Sequence, residues 1–173
     1  MALRAKIKTA AGSTPLHVLL LLLRFFNLNF PMSFPIRSPR HQIGGICILA
    51  RILDKIRLDA AGQLPAGYHV GVVTGNRTFD DRVCKFLGVD FTALAARTLQ
   101  GGTDEEILDW CFANGRRPDA EQIEIWNGFM SKRGWRDSAQ SGFDNAKTEA
   151  GFADRDDIQC YFDLMDAEEG RPA

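Results

Sequence analysis

Gly44-Gly45-Ile46-Cys47-Ile48-Leu49-Ala50-Arg51-Ile52-Leu53-Asp54-Lys55-Ile56-Arg57-Leu58-Asp59-Ala60-Ala61-Gly62 is the stretch on which the fold turns. Ile48, Leu49, Ile52, Leu53 and Ile56 recur in it at i, i+3 and i+4, the spacing that lays apolar side chains along one face of a helix. Arg51, Asp54 and Arg57 fall on the other side. Glycines bracket the pattern, which predicts a long helix opening at Gly44-Gly45 and ending near Gly62.

The chain on either side is punctuated differently. Before this helix, Pro35 and Pro39 keep the backbone extended around Arg37-Ser38. After it, Gly62, Pro65, Gly67, Gly71 and Gly75 make residues 62–78 the longest irregular stretch, in which His69–Val73 could form a short strand without an obvious partner. Short helices follow. Phe79 to Leu87 is stopped by Gly88, and Phe91 to Gln100 is capped by Asp90 and ended by Gly101. Thr103-Asp104-Glu105-Glu106 is a capping box, in which the Thr103 hydroxyl takes a backbone N–H and Glu106 reaches back to Thr103. That helix carries Ile107, Leu108, Trp110, Cys111 and Phe112 and stops near Gly115. Asp119 to Gln122 repeats the cap before Ile123, Trp126 and Met130, with Ile125 and Phe129 widening the stripe. Residues 134–153 are polar and suit a helix lying on the surface, and a last helix is expected from about Asp156 to Met165. The fold class is therefore all-α: a compact bundle of about six or seven short helices with one long irregular loop over about residues 62–78.

Composition fits that class. The chain has 173 residues, 45% hydrophobic and 25% charged, which excludes wholesale disorder and a polytopic membrane protein. The formal net charge is −1, from 21 basic and 22 acidic side chains. No acid precedes Asp54, and residues 1–31 carry only Arg4, Lys6, Lys8 and Arg24, leaving 17 basic against 22 acidic residues over 32–173. An acidic domain lacks the electrostatic footprint of a nucleic-acid binder, so no nucleic acid is expected as a partner. The run Leu19–Leu23 is shorter than the roughly 20 residues of a membrane span, and no small-residue cleavage site follows Arg24. Residues 1–31 are read as a non-domain extension, from a start placed upstream of Met32 or as a targeting segment, with an ordered apolar helix as the third reading. Residues 32–173 form a single helical domain, cytoplasmic and free of membrane contact if translation starts at Met32. Cys47, Cys84, Cys111 and Cys160 are widely spaced and, if translation starts at Met32, read as buried reduced thiols; in a secreted chain they would allow three disulfide pairings. With His17, His41 and His69 they complete no zinc pattern, so no metal and no cofactor is expected.

Several stretches in one register carry a resemblance. Arg37-Ser38-Pro39, Gly44-Gly45 and Ala50–Arg57 come first, then Leu64-Pro65, Tyr68-His69, Phe79-Asp80 and Phe86-Leu87. Gln100–Trp110, Ile125-Trp126-Asn127, Lys132–Asp137 and Arg155–Gln159 complete the set. Over about residues 34–170 the chain resembles a small bacterial family catalogued as domain of unknown function 5069. The resemblance implies no activity, substrate or cofactor. It departs at one point: Arg77-Thr78 stand directly before Phe79-Asp80, where a glycine-bearing stretch is expected.

Candidate chemistry concentrates on the first helix and the loop after it. Arg51, Asp54, Lys55 and Arg57 either form an anion-binding face, with Asp54 orienting a cation, or pair three residues apart along a solvated helix. Tyr68, His69 and Asp80 set an imidazole near a carboxylate with no nucleophile beside it. Asp80-Asp81 suits a helix dipole better than a metal. Gly71–Asn76 matches no phosphate-loop pattern, and the acids after Gly101-Gly102 would repel an anion. Trp110 and Trp126 read as core, whereas Trp135 either covers an apolar edge or stacks on Arg133 or Arg136.

Two functions follow. One is a small soluble helical module that binds a protein partner or forms a homodimer. The other is a small-molecule protein or enzyme for an anionic ligand, with a pocket between the first helix and the 62–80 loop. Its ligand-binding residues would be Arg37, Arg51, Asp54, Lys55, His69 and Asp80. These six must then converge on one cavity.

Overall fold

A computed structural model describes residues 34–71 and 78–172 of the chain. Gly44 and Gly45 both take positive φ, 56° and 82°. Two such residues form a tight two-residue turn whose twist suits a hairpin. They accordingly join β1 (Gln42–Ile43) to β2 (Ile46–Cys47), an antiparallel pair in the register Gln42 to Cys47 and Ile43 to Ile46. This corrects the expectation of a helix opening at the glycines. Helix α1 spans Leu49–Ala60. Ile48 links hairpin to helix with φ 74°, a conformation that costs a β-branched residue strain.

Asn127 clamps the hairpin. Its amide nitrogen donates to the Gly45 carbonyl at 2.7 Å, and its oxygen accepts from the Cys47 N–H at 3.1 Å. Ile43, Ile46, Leu49, Ile52, Leu53 and Ile56 are all buried, so hairpin and helix share one core. Full burial of each such side chain contributes about 1.5–3 kcal/mol.

Six further helices surround α1 among the described residues: α2 Phe79–Leu87, α3 Phe91–Leu99, α4 Asp104–Asn114, α5 Ala120–Met130, α6 Gln140–Glu149 and α7 Tyr161–Glu168. The all-α bundle of about six or seven helices holds, with the two-residue strands as the only addition among the described residues. Thr78, Asp90, Thr103 and Asp119 cap α2 to α5, each side chain accepting from the third backbone N–H beyond it. Both expected capping boxes form.

Three expectations are corrected. The last helix starts at Tyr161, because Asp163 accepts from the Gln159 and Cys160 N–H groups and fixes the N-terminus there. Ile158 is left before it, buried with Phe143 and Leu164 in a second apolar cluster. Ile125 and Phe129 do not widen the α5 core stripe: they are 64% and 46% exposed, while Trp126 and Met130 are buried. His69-Val70-Gly71 is not a strand, and Val72-Val73 lie outside the described residues, as does the expectation for residues 1–31.

Trp126 stacks on Phe86 with centroids 4.5 Å apart. Trp110 is partly buried against the main core, and Trp135 is exposed beneath Arg136. All four cysteines are free and buried, and burial pushes the Cys47 thiol up to about 12. Among the described residues no helix is long and apolar enough to cross a membrane.

Candidate functional site

The polar side of α1 is covered rather than solvated. Segment 34–40 runs over it, so the pairs expected three residues apart do not form. Asp54 instead accepts from the Arg37 backbone N–H at 2.9 Å, from its Nε at 2.8 Å and from Nη2 at 2.7 Å. The hydrogen bond to Asp54 holds the Arg37 guanidinium above its ordinary value, against the effect of burial. Arg37 Nη1 reaches Asp104 on α4 at 2.6 Å, and Arg57 reaches the same carboxylate at 2.8 Å. A planar guanidinium with five donors can serve two carboxylates and a carbonyl at once, which a short i, i+3 pair cannot match.

One turn earlier, the buried Arg51 pairs with Glu169 at the end of α7. Its Nη1 donates to Glu169 Oε2 at 3.0 Å and to the Arg37 carbonyl at 2.9 Å. Arg171 also meets Glu169, whose side chain is fully buried, and the Tyr68 hydroxyl donates to Oε1 at 2.6 Å. Burial, then the hydrogen bond to Glu169, push the Tyr68 phenol up. The guanidinium of Arg51 lies 5.6 Å from the Tyr68 ring centre.

Lys55 points to α2. Its Nζ donates to both oxygens of Asp80 at 2.7 Å and to the His69 carbonyl at 3.0 Å, so all three donors are used. Asp80 also accepts from the Gly71 N–H at 2.9 Å, and the Thr78 hydroxyl donates to the Gly71 carbonyl at 3.2 Å. Gly71 has φ 83°, and a Cβ there would meet the Phe91 ring at 2.6 Å. The two described ends of the 62–78 loop are thus tied together beside α1. Asp81 turns away from Asp80 and pairs with Lys85 at 2.7 Å.

A cavity of about 740 Å³ opens between α1, this loop and α7. Arg51, Lys55, His69 and Asp80 line it, four of the six residues singled out from the sequence. Arg37 and Asp54 do not; they stand behind Arg51, whose Nη1 is held by the Arg37 carbonyl. Phe34, Ile48, Phe79 and Met165 form apolar wall, and Glu168 stands at its α7 side. Burial, then the neighbouring Glu169, raise the Glu168 carboxyl above its ordinary value.

Sequence reasoning passed over Thr78, Glu168 and Glu169. The signal for the two glutamates was available: acids in the last turn of a helix oppose its dipole and call for a compensating partner. Among the described residues no group of three or more His, Cys, Asp or Glu is placed to hold a metal.

A family model described as Domain of unknown function (DUF5069) matches residues 33–171. The chain belongs to this family. No curated protein matches it. Every residue of the cavity lies inside the DUF5069 match. In this DUF5069 chain Thr78, directly before Phe79-Asp80, caps α2 and donates to the Gly71 carbonyl.

Proposed function

We propose that the protein binds a small molecule in the cavity between α1 and the 62–80 segment. The carrying observation is the convergence of Arg51, Lys55, His69 and Asp80 on one space of about 740 Å³. That volume lies inside the range of small-molecule sites, and apolar walls with a few aimed polar groups are the usual lining. Arg37 and Asp54 act as supports that hold Arg51 and the start of the domain against α1. Arg51, Lys55 and Asp80 are already fixed by ion pairs, so little ordering cost at these three would oppose binding.

Ala66 lines the cavity from an exposed turn, so Ala66→Trp fills the space without disturbing the core. The wild-type chain should show saturable melting-temperature shifts with members of a fragment library, and Ala66→Trp should lose them. Equal shifts in both proteins would contradict the reading.

A second reading, a protein partner or homodimer, is favoured by the exposed Ile125 and Phe129 on α5. It predicts a sedimentation coefficient that rises with concentration and returns to the monomer value in Phe129→Asp. The cytoplasmic location expected for a chain starting at Met32 suits either reading and is tested by fractionation.

A further inference from the structure

We infer that the ligand of this cavity is an amine: an ammonium group carried on an apolar body. The inference rests on the cavity being a small-molecule site and names the class of its ligand. The sequence pointed to an anion held by Arg37 and Arg51. Arg37 does not line the cavity, and the two cations that do, Arg51 and Lys55, are each paired with a carboxylate. Lys55 uses all three donors on Asp80 and the His69 carbonyl. Arg51 meets a fully buried carboxylate at Glu169.

The wider network balances in the same way. Arg37 and Arg57 face Asp54 and Asp104, while Arg40, Arg51 and Arg171 face Asp163, Asp166 and Glu169. Glu168 is the carboxylate left over. It lines the cavity, and among the described residues it has no ion pair or hydrogen bond. Its nearest charges are Glu169, which opposes its ionisation, and Arg51, which favours it and is already paired. Partial burial beside a like charge raises its pKa, the response of a carboxylate lacking a counter-ion.

An anion entering here would find Lys55 and Arg51 already paired with Asp80 and Glu169, and would meet Glu168. An ammonium would find Glu168 as counter-ion, and its apolar body would find an aromatic wall at Phe34, Tyr68 and Phe79, the first two rings already lying beside Arg171 and Arg51. Ile48 and Met165 extend that apolar wall. A quaternary or primary ammonium satisfies the charge equally, and the apolar body separates this ligand from a bare ion.

The experiment titrates the full chain with three probes: phenethylamine, its carboxylate counterpart 3-phenylpropionate, and inorganic phosphate. Binding is read by calorimetry and by amide shifts of residues around the cavity. Phenethylamine should bind saturably and move the Tyr68 and Gly71 amides, with the two anions at least about tenfold weaker, the weight of one ion pair near a surface. Glu168→Gln keeps the shape of the side chain, removes its charge and should weaken phenethylamine about tenfold. The Glu168 side chain holds no partner among the described residues, so the melting temperature of the variant should stay near wild type, which separates lost charge from lost fold. Tighter binding of 3-phenylpropionate or phosphate at the same amides would overturn the amine assignment while leaving the cavity a ligand site. Unchanged phenethylamine affinity in Glu168→Gln would overturn it too. Silence of all three probes at millimolar concentration contradicts the amine assignment, and silence extending to the fragment library contradicts the site itself.

Discussion

Replacing Glu169 by Ala tests how the two ends of the domain are joined. Its carboxylate is fully buried and accepts from Arg51, Arg171 and the Tyr68 hydroxyl. Arg171 keeps Asp166 in the variant. Arg51 does not move so easily: its side chain is 7% exposed, and its remaining acceptor is the Arg37 carbonyl. The variant therefore leaves a buried guanidinium without its counter-charge and a phenol without its acceptor. Breaking a buried pair in this way costs about 3–5 kcal/mol. At roughly 3 °C per kcal/mol for a domain of this size, the melting temperature should fall by roughly 9–15 °C. Equilibrium urea unfolding, followed by tryptophan fluorescence, measures the loss directly. The double variant Arg51→Met, Glu169→Leu should recover most of it, because an apolar pair of similar volume removes the desolvation cost along with the attraction. A loss under about 1 kcal/mol in Glu169→Ala, the level of an exposed pair, would refute the buried network as drawn.

Four further outcomes are expected. Trp126→Ala empties the space against Phe86 and should cost roughly 3–5 kcal/mol in urea melts; a negligible loss would remove α5 from the core. Asp54→Ala strips Arg37 of three hydrogen bonds to a carboxylate that is 14% exposed, and a loss of about 2–3 kcal/mol is expected, against at most about 1 for a solvated helix pair. Burial works to raise Asp104 and Asp163, but hydrogen bonds from Arg37 and Arg57 to the first, and from the Gln159 N–H, Cys160 and Arg40 to the second, hold both below the ordinary value. Lowered folded-state values give stability that is complete above the unfolded value and is lost as pH falls through the folded one. The melting temperature should thus be level from pH 7 to 5 and drop below about pH 4, and a decline already between 7 and 5 would contradict this. A chain beginning at Met32 should melt with the full chain, since the family match starts at residue 33; a drop of many degrees would show that residues 1–31 support the core.

Helix ends were the most legible part of the fold. Thr78 excepted, the caps Asp90, Thr103 and Asp119 could be named from residue type and spacing, because a cap is decided within four residues. Gly44-Gly45 misled for an instructive reason. Two adjacent glycines fit a helix start and a tight hairpin turn alike, and what decides is whether another element pairs with the turn. That element is Asn127, about eighty residues away, and no local pattern announces it. The candidate site divides in the same manner. Arg51, Lys55, His69 and Asp80 were legible as polar residues near an irregular loop, and they do share a cavity. Their partners were not legible. Arg51 and Asp54 look like a surface pair because they are three apart, yet Glu169 and Arg37 take them. A long-range ion pair depends on which segments cross, and segment 34–40 crosses α1 only once the whole domain is assembled. Ile125 and Phe129 show the converse limit: their apolar character was read correctly, but their side of α5 is open to solvent.

Whether the space between α1 and the 62–80 segment binds a ligand is decided by a proton–nitrogen shift map of the full chain, recorded with and without fragment mixtures. The Lys55, Tyr68, Gly71, Thr78 and Asp80 amides should move saturably, and should stay still in Ala66→Trp. Movement confined to Ile125 and Phe129 on α5, or no movement with any fragment, would contradict a ligand site there.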